Sequence, residues 1–500
     1  MQARLARLMP GLGLSMLAVL AALVATTGLP VWALLLGVTS AFAVLGLALG
    51  AFDAAVLGAV VPRTMNLLEH DLLQAMPLYV FIGMLLQRLP VGDALFRTAA
   101  RLLRPTGAGM ALATLAVGSL VAPMNGSVAS SASLLSRLVG PRLRALPPGQ
   151  GVALLAAAAT IGVVVPPSLV LLLLGDAMLR AHTEALNLAA APAGSVRVIN
   201  TQDVLHAALL PALAVLLLWG VVAWRQARRA PRDGEEAPLA HGDVALAAAL
   251  AFGVLTLLGG VFVGALLAVE AAATGGCLLV LLTVATRSLD GAGWRSVLED
   301  TLALSGALFA LLVGATAFSL VVSVCGTGTW LADRVTASQA PAQAVAAALL
   351  ASVAACAWVL DAFEMIFVVV PVVAPLLVLR LGDAQQAAVL LLLVLQASFL
   401  LPPLGYAVLT ARSRSGLPPV TTASLLRAVV PFIGVQVLVG AAVLLFPVFV
   451  HRLDEPTAGP AGNPARMSEQ ELMDRMRDMA PPPYPEEPPA AGVPAAPASR

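Results

Sequence analysis

The stretch from Leu360 to Gly405 constrains the fold most, because it places ionisable side chains and helix breakers inside apolar sequence. Asp361 and Glu364 stand near its start, and the pair Pro402–Pro403 stands near its end. An ionisable group in a transmembrane segment costs about 3 kcal/mol or more, and irregular backbone is tolerated at membrane depth only inside protein or beside water. The stretch therefore predicts a polar site for a solute or an ion within the membrane.

A weaker copy of this pattern lies upstream. Asn125 interrupts an apolar run and Pro166 follows it by 41 residues, the same spacing that separates Asp361 from Pro402. The two halves of the chain are thus offset by 236 positions. Matched interrupted hydrophobic segments in two halves are typical of secondary transporters built from repeats, with the site at the bilayer midplane.

The composition supports a membrane protein. Hydrophobic residues make up 60% of the 500 and charged residues only 11%, which is far from the composition of a soluble domain. A net charge of +1, with no basic block interleaved with aromatics, gives no reason to expect nucleic acid as a partner. Cys277, Cys325 and Cys356 lack metal-ligand spacing and are interpreted as small core residues.

The predicted fold class is an all-α polytopic membrane protein with two inverted-topology repeats, re-entrant hairpins and broken helices. About 20 apolar residues are needed for one span, and this criterion gives five crossings per half, an odd number that inverts the second half. Met76 to Leu89 is predicted as the third helix, with Pro77 in its first turn. The predicted segments are a first repeat at 1–226 (hairpin about 107–140, broken helix about 153–179), a connector at 227–243, a second repeat at 244–450 (hairpin about 343–378, broken helix about 386–412) and a Pro/Ala-rich disordered tail at 451–500.

The orientation follows from the distribution of arginine. The hydrophilic stretch from Arg225 to Asp243 contains four arginines and is predicted to be cytoplasmic by the positive-inside rule. Counting outward from it places both termini outside, whereas Arg4 and Arg7 argue against an outside N-terminus. The first apolar segment could be a secretory signal peptide, but Leu29–Pro30 begins another apolar helix at once, so a retained transmembrane helix is favoured.

Broken helices supply the chemistry of the predicted site. A helix that stops at mid-membrane leaves unpaired N–H groups and partial positive charge on one half-helix, and unpaired carbonyls on the other. The first suits an anion and the second a small cation, so the pattern favours ion-coupled transport of an anion. A hard cation, which prefers oxygen ligands, is placed at Asn125, Ser127, Thr160, Asp361 and Gln396. The full set of candidate substrate- or ion-binding residues is Asn125, Gly126, Ser127, Ser130, Thr160, Gly162, Pro166, Pro167, Ser168, Asp361, Glu364, Gln396, Ser398, Pro402, Pro403 and Gly405.

For each single hydroxyl, the competing interpretation is that it only satisfies backbone groups. No catalytic residue and no cofactor other than the coupling ion is predicted.

Several short motifs occur in an order that identifies a family. They are Pro77–Phe81 (PLYVF), Thr160–Gly162 (TIG) with Pro166–Ser168 (PPS), Leu174–Asp176 (LGD), Val269–Ala273 (VEAAA), Leu360–Pro375 (LDAFEMIFVVVPVVAP) and Gln396–Gly405 (QASFLLPPLG). Over residues 10–450 the chain resembles the large permease subunit of TRAP transporters, the DctM-like family, and within it the mannitol/chloroaromatic-type branch. The resemblance implies the elevator type of the ion-transporter superfamily and sodium-driven uptake of a small organic acid across the bacterial inner membrane. It also implies two partners, a small four-helix membrane subunit and an extracytoplasmic solute-binding protein.

The chain departs from the family pattern at several polar positions. Val163, Leu395 and Leu401 stand where the branch usually has glutamine, asparagine and threonine, and Leu267 to Val269 replaces a Thr-Pro-Thr run. Each change removes an oxygen near the predicted site. The alternatives are therefore a stand-alone anion symporter of related fold and a degenerate, non-transporting permease. An intramembrane hydrolase is disfavoured, because leucines precede Gly175–Asp176 where such an aspartate motif requires a glycine-containing run.

Overall fold

The computed structural model describes residues 2–50, 52–69, 71–89, 91–124, 127–166, 168–189, 199–228, 241–357, 360–401 and 405–453. Every regular element in these ranges is helical, which confirms the predicted all-α class. Five of the predicted site residues lie outside the described ranges: Asn125, Gly126, Pro167, Pro402 and Pro403. Most of the connector and the tail from 454 also lie outside them.

The first half of the chain contains eleven α-helices within the described ranges. They are α1 (Gln2–Thr27), α2 (Val31–Ala48), α3 (Ala54–Gly58), α4 (Val60–Leu68), α5 (Asp71–Leu86), α6 (Val91–Leu103), α7 (Gly109–Val121), α8 (Val128–Val139), α9 (Pro148–Val164), α10 (Leu169–Leu188) and α11 (Thr201–Ala227). Short 3-10 turns follow α6, α7 and α8.

The described part of the second half contains another eleven. They are α12 (His241–Phe262), α13 (Ala268–Thr286), α14 (Gly291–Val324), α15 (Thr327–Ala337), α16 (Ala342–Cys356), α17 (Ala362–Glu364), α18 (Val370–Leu381), α19 (Ala384–Ser398), α20 (Tyr406–Arg414), α21 (Thr422–Leu445) and α22 (Val448–His451). A π-helix, Met365–Val369, joins α17 to α18.

The sequence offset of 236 is matched helix by helix. Adding it to the bounds of α6 gives 327–339, where α15 lies, and adding it to those of α7 gives 345–357, where α16 lies. For α9 the sum is 384–400, and α19 begins at the first of these residues. Hydrophobic patterning and breaker positions alone therefore located the repeat.

Contacts at the two ends of the helices show the inversion. At the arginine-rich end, Arg97 of α6 pairs with Asp243 of α12 at 3.1 Å, close to the connector. At the opposite end, Arg380 of α18 donates to the Ser338 carbonyl at 3.0 Å, just before α16. The first hairpin, α7 to α8, thus opens toward the arginine-rich end, and the second hairpin, α16 to α18, opens toward the other.

Seven helices in the described ranges are long and apolar enough to cross a membrane, or nine if each bent pair forms one span. One bent pair is α9 and α10, which meet at 43° across the break at Pro166. The predicted start of the third helix is wrong: α5 begins at Asp71, so Pro77 lies inside the helix and not in its first turn. A proline in a helix interior removes one backbone hydrogen bond, a cost that the surrounding helices can offset within a membrane.

The helices form two groups around the site. In one group α14 packs against α2 and α5, and α13 packs against α5. In the other, the two hairpins pack against α9, α10, α19 and α20. Helix α6 contacts α7 of the hairpin group and α12, which packs against α13 of the other group. Its repeat equivalent α15 contacts α18 of the hairpin group and α14 of the other group. The hairpins and broken helices therefore pack mainly against one another. They contact the first group through α6 and α15, and also directly where the π-helix meets α14 and where α10 meets α5.

Candidate functional site

The tips of the two hairpins meet at the centre of the molecule. Ser127, which precedes α8, lies within hydrogen-bonding reach of the carboxyl of Asp361, which precedes α17. Both residues are intermediate in burial as a whole, although the Asp361 Oδ1 atom itself is buried. Residues 234 positions apart, one from each repeat, thus face one another across the site.

The Asp361 carboxylate has bonding capacity left over. The Asp361 N–H donates to the Glu364 carboxylate at 3.0 Å, so Glu364 caps the start of α17. The Asp361 Oδ1 atom is buried and has no hydrogen-bond partner among the described residues. A buried charged oxygen without a partner is costly. The site is therefore suited to a cation or a donor group that would occupy this oxygen.

The chain after this cap departs from regular α-helix. The residues Met365–Val369 form a π-helix, and Pro371 follows it in the first turn of α18. Single π turns within helices are rare and occur frequently at functional sites. Here the π-helix immediately follows the carboxylate pair.

Each broken helix contacts the hairpin of the other repeat. The second part of the first break, α10, packs along α18 of the second hairpin. The second part of the second break, α20, packs along α8 of the first hairpin. This exchange joins the repeats into one unit and brings four helix N-termini, those of α8, α10, α17 and α20, to the central part of the protein. Helix N-termini carry partial positive charge and free N–H groups.

Glycines allow the close approach of the first hairpin to the first break. A Cβ atom on Gly162 would lie 2.6 Å from the Ala122 carbonyl oxygen at the hairpin tip. One on Gly118 would lie 2.6 Å from the Ala158 carbonyl oxygen one turn away. Gly405 is constrained within its own segment, since its N–H donates to the Leu401 carbonyl at 2.7 Å. These glycines shape the site through backbone packing.

Three of the hydroxyls predicted as sodium or substrate ligands bond to backbone groups within the broken helices. Thr160 donates to the Ala157 carbonyl at 3.0 Å, and Ser398 donates to the Val394 carbonyl at 2.7 Å. Ser168 caps α10, accepting from the Leu171 N–H at 3.1 Å and donating to the Val163 carbonyl at 3.3 Å. All three residues are 0–1% exposed. Their arrangement matches the competing interpretation, in which the hydroxyl satisfies the backbone.

Gln396 is part of a buried amide pair. Its side-chain oxygen accepts a hydrogen bond from Gln436 of α21, and Gln436 also donates to the Leu393 carbonyl at 3.4 Å. The Gln396 Nε2 and Gln436 Oε1 atoms remain without partners in the described chain. Gln396 therefore faces α21, with its amide nitrogen unbonded in the described chain and its oxygen using one of two lone pairs.

The comparisons with known proteins agree with this architecture. Residues 17–449 match the model of the family described as "Tripartite ATP-independent periplasmic transporter, DctM component". The chain belongs to this family. The crystal structure of the YdaH transporter from Alcanivorax borkumensis, described as having an unusual topology, is similar at a TM-score of 0.59 and 17% identity, covering 80% of this chain and 90% of that one. A search of curated protein sequences gave no match.

The DctM family identifies the chain as a large permease of the TRAP type. It is a family of transporter permeases and not of enzymes, and it works in tripartite transporters with a small subunit and a solute-binding protein. At the level of the family, the resemblance drawn from the sequence motifs is thus confirmed.

Two further predicted residues lie at the edge of the permease site. Ser130 of α8 accepts from the Gln87 amide at 2.6 Å, and Arg137 donates to the same Gln87 side chain at 3.3 Å. This connects the hairpin to the end of α5 and turns Ser130 away from Asp361. Pro166 is buried at the first break. No group of three or more His, Cys, Asp or Glu in the described ranges could hold a metal ion.

Sequence analysis missed one aromatic residue of the permease site. Tyr406, the first residue of α20, is 45% exposed and lies near enough to Asp361 and Glu364 for both charges to act on its phenol. It follows Gly405 directly, so its position at the break was visible in the sequence. Nothing else in the sequence indicated that this tyrosine belongs to the site.

Proposed function

We propose that this permease imports a small organic acid with a sodium gradient, as the large membrane subunit of a tripartite transporter in the bacterial inner membrane. Its partners in the proposal are a small four-helix membrane subunit and an extracytoplasmic solute-binding protein. The family membership supports the transporter class, and the geometry around Asp361 supports the coupling.

The observation that carries the proposal is the buried Asp361 Oδ1 atom, which has no hydrogen-bond partner in the described part of the chain, at the meeting point of two hairpin tips. Ionisable groups inside transmembrane segments mark solute and ion pathways. A sodium ion at Asp361 would offset the buried charge and use the free oxygen. The helix N-termini near the site would then favour the carboxylate of an organic acid.

The helix grouping supports an elevator motion. The hairpins and broken helices pack mainly against one another, and α6 and α15 connect them to the group that contains α2, α5, α13 and α14. Ser127 and Asp361 come from hairpins that open toward opposite ends, so each hairpin would cover the site from one side. In the proposal this unit moves across the membrane as a body while the other group stays in place.

The test is uptake into proteoliposomes that contain the permease, its small subunit and its binding protein. A pool of candidate organic acids is offered with and without an inward sodium gradient, beside the variant Asp361→Asn. The proposal expects accumulation that needs both sodium and the binding protein and that is lost in the variant.

Other outcomes contradict parts of the proposal. Uptake without the binding protein would indicate a stand-alone symporter. Uptake that ignores the sodium gradient would show that another driving force is used. A folded, assembled complex without uptake of any acid would indicate a permease retained for assembly or sensing.

A further inference from the structure

Four arginines lie at the C-terminal ends of α6 and α11, which Trp224 joins at the arginine-rich end, away from the transport site. The Trp224 indole N–H donates to the Thr106 carbonyl at 2.9 Å, which fixes the end of α11 against the turn after α6. The Arg228 guanidinium lies 4.9 Å from the centre of the Trp224 ring. Arg104 begins the turn that contains Thr106. The members of this cluster, called here the Trp224 cluster, are Arg101, Arg104, Trp224, Arg225 and Arg228.

The arginines of the Trp224 cluster are exposed and have no acidic partner within the described ranges. Nearby arginines at the same end behave differently. Arg97 pairs with Asp93 and Asp243, both at 3.1 Å, and Arg142 pairs with Asp93 at 2.6 Å. The structure therefore neutralises one set of arginines and leaves another set available for an external anion.

An apolar surface leads directly into the cluster. Leu213, Leu217 and Val221 of α11 are 46%, 61% and 48% exposed, and their spacing of four continues to Arg225. Residues four apart lie on one helix face. Leu102, between Arg101 and the turn, is 78% exposed. A ligand with an apolar chain and an anionic head would match both parts of this surface.

We propose that the Trp224 cluster binds the phosphate headgroup of an anionic phospholipid, with its acyl chains along the exposed face of α11. Arginine matches phosphate with paired N–H donors. Tryptophan is enriched at the membrane interface, where one side of the ring is apolar and the other polar. Basic clusters at a membrane surface attract anionic lipids by an amount that grows with each arginine.

The test is quenching of Trp224 by brominated lipids in nanodiscs that hold the full-length permease. Quenching by brominated phosphatidylglycerol is compared with quenching by brominated phosphatidylcholine, and the Trp224→Phe variant isolates the Trp224 signal from the other tryptophans. The expected preference for phosphatidylglycerol is about fivefold. The ratio of quenching by the two lipids falls to about one in the double variant Arg104→Gln/Arg228→Gln. The preference is retained in part in the double variant Arg104→Lys/Arg228→Lys.

Matched controls separate the possible sources of the signal. Arg295→Gln removes an arginine from the same end that is already paired with Glu299 at 2.7 Å, so it leaves the preference unchanged. Inorganic phosphate, added to nanodiscs that contain brominated phosphatidylglycerol, leaves the quenching unchanged if the acyl chains help to hold the lipid at the site. If phosphate abolishes the preference for phosphatidylglycerol, the site binds a free anion and the lipid assignment is overturned.

Equal quenching by the two lipids in the wild type would also overturn the proposal. The arginines would then serve only to offset the C-terminal dipoles of α6 and α11, and their replacement would change thermal stability without changing lipid preference. The binding assay does not require transport, so its result is independent of the proposed function.

Discussion

The two halves of the permease share one arrangement of helices but differ in the polar and charged residues that they place at equivalent positions. At equivalent positions 236 residues apart, the first half has Thr160 and Gly162, and the second has Gln396 and Ser398. The first pair serves packing, since Gly162 lets the hairpin backbone approach and Thr160 bonds within its helix. The carboxylates Asp361 and Glu364 belong to the second half alone. A repeated fold can therefore keep its geometry while one copy carries the charge.

Loss of the Asp361 charge is the change expected to have the largest effect. Asp361→Asn removes the buried carboxylate with the unpartnered oxygen, and uptake should fall by about a hundredfold, on the scale of about 3 kcal/mol for a buried charge interaction. Glu364→Gln keeps an oxygen that can accept from the Asp361 N–H, so its effect should be smaller. Initial uptake rates at equal amounts of assembled complex measure both. Equal losses in the two variants would contradict the assignment of separate roles.

The packing role of the first half is tested at Gly162. A methyl group there would overlap the Ala122 carbonyl, and overpacking of this kind costs about 1–3 kcal/mol. Gly162→Ala should therefore lower the thermal unfolding midpoint of the purified permease by several degrees. The control is the repeat-equivalent change Ser398→Ala, which removes one hydroxyl bonded to its own helix and should cost about 0.5 kcal/mol or less. Equal shifts of the two unfolding midpoints would contradict the packing role assigned to Gly162.

The contact between the hairpin tips is tested at Ser127. A hydrogen bond to a charged group contributes about 1.5–3 kcal/mol, so Ser127→Ala should reduce uptake by about tenfold through weaker positioning of Asp361. Ser130→Ala is the matched control, because Ser130 bonds to Gln87 and not to the carboxylate. The measurement is uptake at saturating solute. A larger loss for the control than for Ser127→Ala would mean that the tips do not act on one another.

The smallest effect is expected for the amide pair of the second half. Gln436→Leu leaves the Gln396 oxygen without its donor, and Gln396→Leu leaves Gln436 with only its bond to the Leu393 carbonyl, at a cost of about 1 kcal/mol or more each. The double variant removes both amides and should be less destabilised than the sum of the single variants. Thermal unfolding of the three variants forms the double-mutant cycle. Simple additivity would show that Gln396 and Gln436 are not coupled, and would leave Gln396 free for a ligand.

The sequence predicted the fold well because hydrophobic length and breaker position are local signals. The first hairpin and the break at Pro166 are both visible as composition changes within a few residues. The error at α5 has the same origin: the polar start of that helix, from Asp71, reads as a loop although it is helical.

The site was less predictable because its decisive contacts join distant residues. Gln436 lies in what reads as a simple membrane span, so nothing in the sequence shows that it takes the Gln396 oxygen. The bonding of Thr160 and Ser398 to their own helices depends on side-chain rotation, which the sequence leaves open. The π-helix after Glu364 depends on how that segment packs against α10, α14 and α16.

The central claim is that hairpin tips from opposite repeats meet at the Asp361 carboxylate. Cross-linking tests it most directly, in a background where Cys277, Cys325 and Cys356 are replaced by serine or alanine. The pair Ser127→Cys/Asp361→Cys is treated with a short bifunctional thiol reagent, beside the control Ser127→Cys/Ser352→Cys, whose second site lies nine residues before Asp361 on exposed α16. Efficient cross-linking of the first pair and little of the second is the predicted result. Comparable cross-linking of both pairs, or none of the first, would contradict the account.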